Sequence, residues 1–220
     1  MEKQKKKTAL IVYTVVFYAI WTAFELIVKD SLNLAIKNEI LCQFVKSGII
    51  KNLVWTLPAI ALIRRFKSEV YITLKEMFTT KIRFQHYLPV FLIFTVVVLA
   101  VSILEKGKLN VAESFGAEEI IIVLFVGLTE EMVFRGWLLN STIREDKKWF
   151  SIILNAAMFL FIHFPTWIHT GTFISNFVSF QFLGIIALSL VFSCTFLKSK
   201  NILVPITLHM YYDLLVFMFI

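Results

Sequence analysis

Six side chains of types that do chemistry stand in three separate stretches: Glu130, Glu131 and Arg135 in the first, His163 in the second, His209 and Asp213 in the third. Carboxylates and imidazoles of this kind can carry protons to and from a water molecule, or they can hold a metal ion. Residues four apart share a helix face, so Glu131 and Arg135 can pair while Glu130 points about 100° away. Glu131 is then the neutralised partner of Arg135, and Glu130 is an unpaired carboxylate able to take a proton from water. His209 and Asp213 have the same four-residue spacing, which lets them orient each other or bind one metal ion. Each group also has a bland reading: the acidic cluster as an ion-pair brace between helices, His163 as an interfacial or core histidine, and His209 with Asp213 as a self-satisfied hydrogen bond.

What weighs against the bland readings is where these residues sit. A charge at the centre of a membrane-spanning helix costs roughly 2.5 to 3.5 kcal/mol, so Glu130, Glu131 and Arg135 together cost on the order of 8 to 10. Their apolar neighbours, including the run from Ile120 to Val126, return about 5 kcal/mol. The segment therefore needs polar partners from other helices, and the histidine and aspartate positions are the candidates. Glu25 and Gln181 are weaker ones, as lining residues or single interhelical hydrogen bonds.

The elements that must position these groups follow from composition. In 220 residues, 59% are hydrophobic and 17% charged, and the mean hydropathy is +0.80, well beyond a soluble domain. We expect an all-α polytopic transmembrane helical bundle of about seven spans, because helices satisfy their backbone internally and the alternation of barrel strands is absent. The spans read as 8–28, 40–63, 88–104, 118–139, 149–164 (stopping at Pro165), 176–197 and 202–220, with a basic stretch at 64–87 lying along the membrane surface. The basic start before 8–28 is like that of a secretory signal, but the run is too long and no small-residue cleavage site follows, so a retained first span is expected. The second span contains Lys46 and Lys51, which either snorkel or fall in an interfacial stretch before a span beginning near Ile49.

Charge placement gives the orientation. With the N-terminus inside, inner segments hold fifteen Lys and Arg residues against four in the outer loops, which is the positive-inside pattern. The net charge of +7 is thereby explained by topology, and membrane lipid rather than nucleic acid is the expected partner. Cys42 and Cys194 have no CxxC spacing and read as small buried hydrophobes. The many phenylalanines read as packing or lipid-facing residues, and His86 and His169 fall in loops. The chain is expected to form a single membrane domain over 1–220, with N-terminal spans at 8–116 and a motif-bearing core at 117–220. A Lys-, Ile- and Phe-rich usage points to a bacterial cell membrane.

Glu130-Glu131-x-x-x-Arg135, Phe159-x-x-x-His163 and His209-x-x-x-Asp213, in that order and each on an expected span, resemble the three motifs of the CPBP family; Phe134-Arg135-Gly136 continues the first motif in the usual way. This family contains intramembrane endopeptidases related to the type II CAAX prenyl protease and to bacteriocin-processing and self-immunity proteins. The resemblance covers roughly 117–220. It implies a protease acting on a membrane-associated peptide or protein, with Glu130 as the base that activates water together with His163. His209 and the residue at 213 would stabilise the oxyanion, with Glu131 and Arg135 supporting. Position 213 is typically Asn in the prenyl-protease branch; Asp213 suits a metal ligand or a partner that keeps a proton on His209, which draws the chain toward the bacteriocin-immunity side. Glu130, His163, His209 and Asp213 would also make a site for a divalent metal such as zinc, so metal-dependent and metal-free hydrolysis both stay open at this stage. A non-catalytic immunity or regulatory membrane protein is the alternative, and a proton-coupled transporter a third, disfavoured by the lack of paired halves or broken-helix repeats.

Overall fold

The computed structural model describes residues 1–220 and is all-helical, with no strand. We number the helices α1 (Glu2–Ala35), α2 (39–65), α3 (Leu74–Thr79), α4 (Phe84–Lys106), α5 (117–142), α6 (Glu145–His169), α7 (Phe173–Val178), α8 (Gln181–Ser199) and α9 (Leu203–Phe219). Four of them, α1, α4, α6 and α8, are long and apolar enough to cross a membrane, and α9 is apolar but shorter. The chain is an integral membrane protein. The helices α2 and α5 are continuous but carry more charge; their mid-helix residues Lys46, Lys51, Glu130, Glu131 and Arg135 face inward, while Glu39, Arg64 and Arg65 near the ends of α2 are exposed.

Local sequence sets the helix ends. The Asn38 side chain accepts from the Leu41 N–H at 2.8 Å to start α2, and Thr73 with Glu76 forms a capping box at α3, each satisfying an amide that has no partner within the helix. The Thr73 hydroxyl and N–H hold the surface carboxyl of Glu76 below the ordinary carboxylate range. Pro89 lies in the first α-helical turn of α4, which follows the 3₁₀ turn Phe84–Tyr87, where its missing N–H is no loss; Gly107, at φ 70°, ends that helix in the left-handed conformation. In α2, wide π turns at Phe44–Ile50 and Asn52–Thr56 precede Pro58, a change of hydrogen-bond pattern suited to a residue without an amide donor.

Four sequence expectations need correction. The fifth segment does not stop at Pro165: α6 breaks at Ile162 and restarts at His163, running on to His169. Proline lacks the N–H that the Phe161 carbonyl would take and clashes with the turn before it, so the break falls just upstream and the chain continues. The sixth segment begins at Gln181, with 173–178 forming the separate helix α7. The 64–87 stretch holds α3 and the first turn of α4, tied down by Asn140, whose amide bonds both the N–H and the carbonyl of Ile72 at 2.7 and 2.8 Å. His86 and His169 are in helical turns, not loops.

In the interior, α5 packs against α9 and α2, and α8 against α6. Gly127 allows the closest of these approaches: a Cβ there would stand 2.8 Å from Met210 Cγ and 3.5 Å from the Ile206 carbonyl. The main core gathers Phe17, Trp21, Trp55, Phe134, Trp137 and Phe159 between α1, α2, α5 and α6. These aromatics meet mostly edge to face, as at Phe17–Phe134 (5.9 Å) and Phe134–Phe159 (5.1 Å), the arrangement ring quadrupoles favour. Cys42 and Cys194 are free thiols.

Candidate active site

Residues Thr129 to Ser141 of α5 are buried without exception, and Met132–Leu139 are wound as π turns, a form that recurs at functional sites. Glu131 and Arg135 pair at 2.8 Å with both side chains fully buried. Arg135 also donates to Ser189 on α8, to the hydroxyl at 2.7 Å and the carbonyl at 3.1 Å. Its guanidinium lies over Phe159 and Phe192, 4.6 and 5.4 Å from the ring centroids. A buried charge needs such a shell, because removing one partner leaves the other uncompensated.

Glu131 has a second partner that spacing did not reveal. His209 of α9 places Nδ1 2.9 Å from Glu131 Oε1, so one carboxylate joins the guanidinium to the imidazole. On its other side, His209 Nε2 is 3.4 Å from Asp213 Oδ2 and 4.0 Å from Glu130 Oε2. The ring stacks on Phe192 at 4.8 Å and meets Phe159 edge-on at 5.9 Å. Aromatic walls on two sides and a carboxylate on Nδ1 fix its orientation, leaving Nε2 aimed at Glu130 and Asp213. The Glu130 side chain makes no hydrogen bond, the 4.0 Å to His209 being too long for one.

His163 begins the second half of α6. Its Nδ1 is 3.0 Å from the Phe159 carbonyl; a carbonyl only accepts, so Nδ1 carries the proton, and the neutral ring's lone pair is on Nε2. His163 and Glu130 line one cavity of about 510 Å³, walled by Trp21, Phe24, Trp167 and Phe217. The structure thus brings five of the six residues into one contact network around His209, and His163 joins Glu130 across that cavity.

No three His, Cys, Asp or Glu side chains come together in a geometry that could hold a metal ion. His163 keeps Nε2 free, but both nitrogens of His209 already face carboxylates, Nδ1 at 2.9 Å from Glu131 and Nε2 at 3.4 Å from Asp213, so the four candidate ligands do not converge on one ion as placed.

Residues 114–215 match the family model described as type II CAAX prenyl endopeptidase Rce1-like. The match spans all three motifs. This segment is similar to the type II CAAX prenyl endopeptidases of the CPBP family. Comparison with curated proteins and with solved structures gave no match. The matched segment ends upstream at α5, yet the cavity does not: helices α1 and α2, outside it, contribute Trp21, Phe24, Glu25, Lys29, Lys46 and Lys51 to the wall.

Sequence reasoning missed most of that contribution. Ile162 turns its N–H to the Leu160 carbonyl at the break in α6, and Tyr18 Oη donates to the carbonyl of Met158 at 2.5 Å. Trp21 Nε1 donates to the Ile162 carbonyl at 2.8 Å, and Thr166 donates to Glu25 Oε2 at 3.1 Å. One face of α1 thereby grips positions 158, 162 and 166, a turn apart on either side of His163. Glu25, read as a lining residue or a single interhelical bond, is both a lining residue and the hub of a network that includes Lys29 at 3.1 Å and Lys51 at 4.0 Å. Lys51 does not snorkel: its side chain is 12% exposed, and its ammonium sits over Trp21 at 4.5 Å. The signal available beforehand was an acidic residue and two lysines at membrane depth; nothing in the spacing tied them to His163. Gln181 is absent from the cavity wall.

Proposed function

We propose that the chain is an intramembrane endopeptidase that hydrolyses a peptide bond of a membrane-associated peptide or protein, with Glu130 as general base. The observation that carries this reading is the placement of His209 Nε2 4.0 Å from Glu130 while Glu130 and His163 open on a common cavity. A base, a site for water and an oxyanion donor are the parts that amide hydrolysis requires.

In this mechanism a water in the cavity gives a proton to Glu130 as its oxygen attacks the scissile carbonyl, and His163 Nε2 accepts that water's second hydrogen to orient it. The carbonyl oxygen becomes the oxyanion and accepts a hydrogen bond from His209 Nε2–H, with Asp213 holding that N–H in line. Collapse of the tetrahedral intermediate breaks the C–N bond, and Glu130 returns its proton to the leaving amine. Glu131 and Arg135 support His209 through Nδ1. Asp213 at the position where prenyl proteases carry Asn assigns the donor role to His209 rather than to residue 213.

The same reading takes the chain as one membrane domain of seven spans with its N-terminus inside, in a bacterial cell membrane. Supporting it, α2 and α5 extend for about 39 Å at 1.5 Å per residue, enough to cross, and their mid-helix charges, Lys46, Lys51, Glu130, Glu131 and Arg135, face the cavity or the ion-pair network.

The test is incubation of the purified protein in lipid with a panel of transmembrane and lipid-anchored peptides, products being mapped by mass spectrometry, for the parent and His209→Ala, with and without a chelator. Cleavage by the parent, loss in His209→Ala and indifference to chelator are expected. No cleavage of any peptide, together with a cellular phenotype that survives in His209→Ala, would favour the non-catalytic immunity or regulatory role instead.

A further inference from the structure

Away from the active site, where α1 begins and α5 passes into α6, lies a cavity of about 800 Å³. Five of its lining residues are cationic, namely Lys3, Lys6, Lys7, Arg144 and Lys147, and none is acidic. Two of the five are engaged: Lys6 donates to the Glu69 carbonyl, and Arg144 makes a two-pronged pair with Asp146 at 2.7 and 3.0 Å. The side chains of Lys3, Lys7 and Lys147 make neither an ion pair nor a hydrogen bond with the protein, so three ammonium groups border this space without a counter-charge.

Directly below is a second cavity of about 240 Å³ that shares Leu10, Thr142 and Leu154 with the first. Its other walls are Ile11, Thr14, Val15, Leu138 and Met158, between α1 and α6. Ile11, Val15 and Leu154 are open to the outside of the bundle, at 54, 62 and 40% exposure. From Lys3 to Val15 the groove descends about 18 Å along α1.

We propose that this pair of cavities is a binding site for an anionic phospholipid, the phosphate among Lys3, Lys7 and Lys147 and one acyl chain in the slot between α1 and α6. A basic pocket at the surface end of a helix pair that leads into a lipid-facing apolar slot matches a headgroup and a chain at once. A free phosphate would leave the slot unused, and an acidic peptide segment would have to enter hydrocarbon. The lysines lie on the side that the Lys and Arg distribution assigns to the inner leaflet, where anionic lipids meet basic segments. The site is independent of the proteolytic reading, since it needs none of the six residues of the active site.

Native mass spectrometry of the full chain with phosphatidylglycerol and phosphatidylcholine tests it. The site variant is Lys7→Gln/Lys147→Gln. A matched control, Lys81→Gln/Arg83→Gln, removes two cations that line a different cavity lacking any such slot. At about fivefold per surface cation, the site variant should hold phosphatidylglycerol about 25-fold more weakly, with phosphatidylcholine unchanged and the control like the parent. Filling the slot with Leu154→Trp should weaken phosphatidylglycerol at least fivefold without altering charge. Equal losses in the site variant and the control would reduce the effect to general attraction of a basic face and overturn the site. Unchanged retention in the site variant, or in Leu154→Trp, would overturn it as well.

Discussion

Residues 114–215 carry the groups that could react, Glu130, His163, His209 and Asp213, while α1, wholly outside that segment, carries the groups that hold one of them: Tyr18, Trp21 and Glu25. The first set is made of residue types that are costly in a membrane and come at helical spacings, so each announces itself. The second set is made of a tyrosine, a tryptophan and a glutamate whose meaning depends on which carbonyl or hydroxyl lies opposite after folding. Reactive groups and the groups that position them are thus recognisable by different kinds of information, and a family match reaches only the first.

Removing the centre of the matched half should have the largest effect on folding. Arg135→Met leaves Glu131 as a buried carboxylate with only His209 to face, and a broken buried pair typically costs about 3 to 5 kcal/mol. Thermal unfolding in detergent should show a large fall, whereas Glu131→Leu/Arg135→Met, which removes both charges, should recover much of it. Equal losses in the single and double variants would mean that the pair matters through packing alone.

At the contact between α5 and α9, Gly127→Ala should cost about 1 to 3 kcal/mol, because the new methyl must displace Met210 on the helix that carries His209. Activity should fall more than stability alone accounts for. A variant as stable and as active as the parent would show that the helices part without disturbing His209.

The smallest changes sharpen the comparison most. Trp21→Phe deletes the hydrogen bond to the Ile162 carbonyl and keeps an aromatic ring; one such bond is worth about 1 kcal/mol, so kcat should drop about fivefold with KM unchanged. Glu25→Gln keeps an acceptor for Thr166 and should retain activity that Glu25→Ala loses. Nitrogen chemical shifts of His163 report its tautomer directly: the parent should show the proton on Nδ1, and Trp21→Phe a mixture. If kcat and the His163 signal stay put in Trp21→Phe, α1 is an anchor and nothing more.

The fold was legible as an all-helical membrane bundle because apolar runs and basic loops are additive properties of the sequence. The placement of Glu131 against Arg135 was also legible, since both lie on one helix. What did not follow was anything set by contact between helices: the Glu131–His209 bond, the Ser189 cradle, the α1 grip on α6. Pro165 pointed to a helix end, but packing on both sides of Ile162 carries α6 past it, and tertiary contact overrides a local breaker. Lys51 read as either snorkelling or interfacial because nothing in the sequence placed Glu25 and the Trp21 ring beside it.

The central claim is that Glu130 is the base of a hydrolytic site, and its most direct test is turnover by Glu130→Gln, a variant that keeps size and hydrogen bonding but removes the basic carboxylate. With a cleavable peptide in reconstituted bilayers, kcat should fall by about 10² to 10⁴ while peptide affinity stays within twofold of the parent. Parental kcat in Glu130→Gln would contradict the assignment and move the search for a base elsewhere in the cavity.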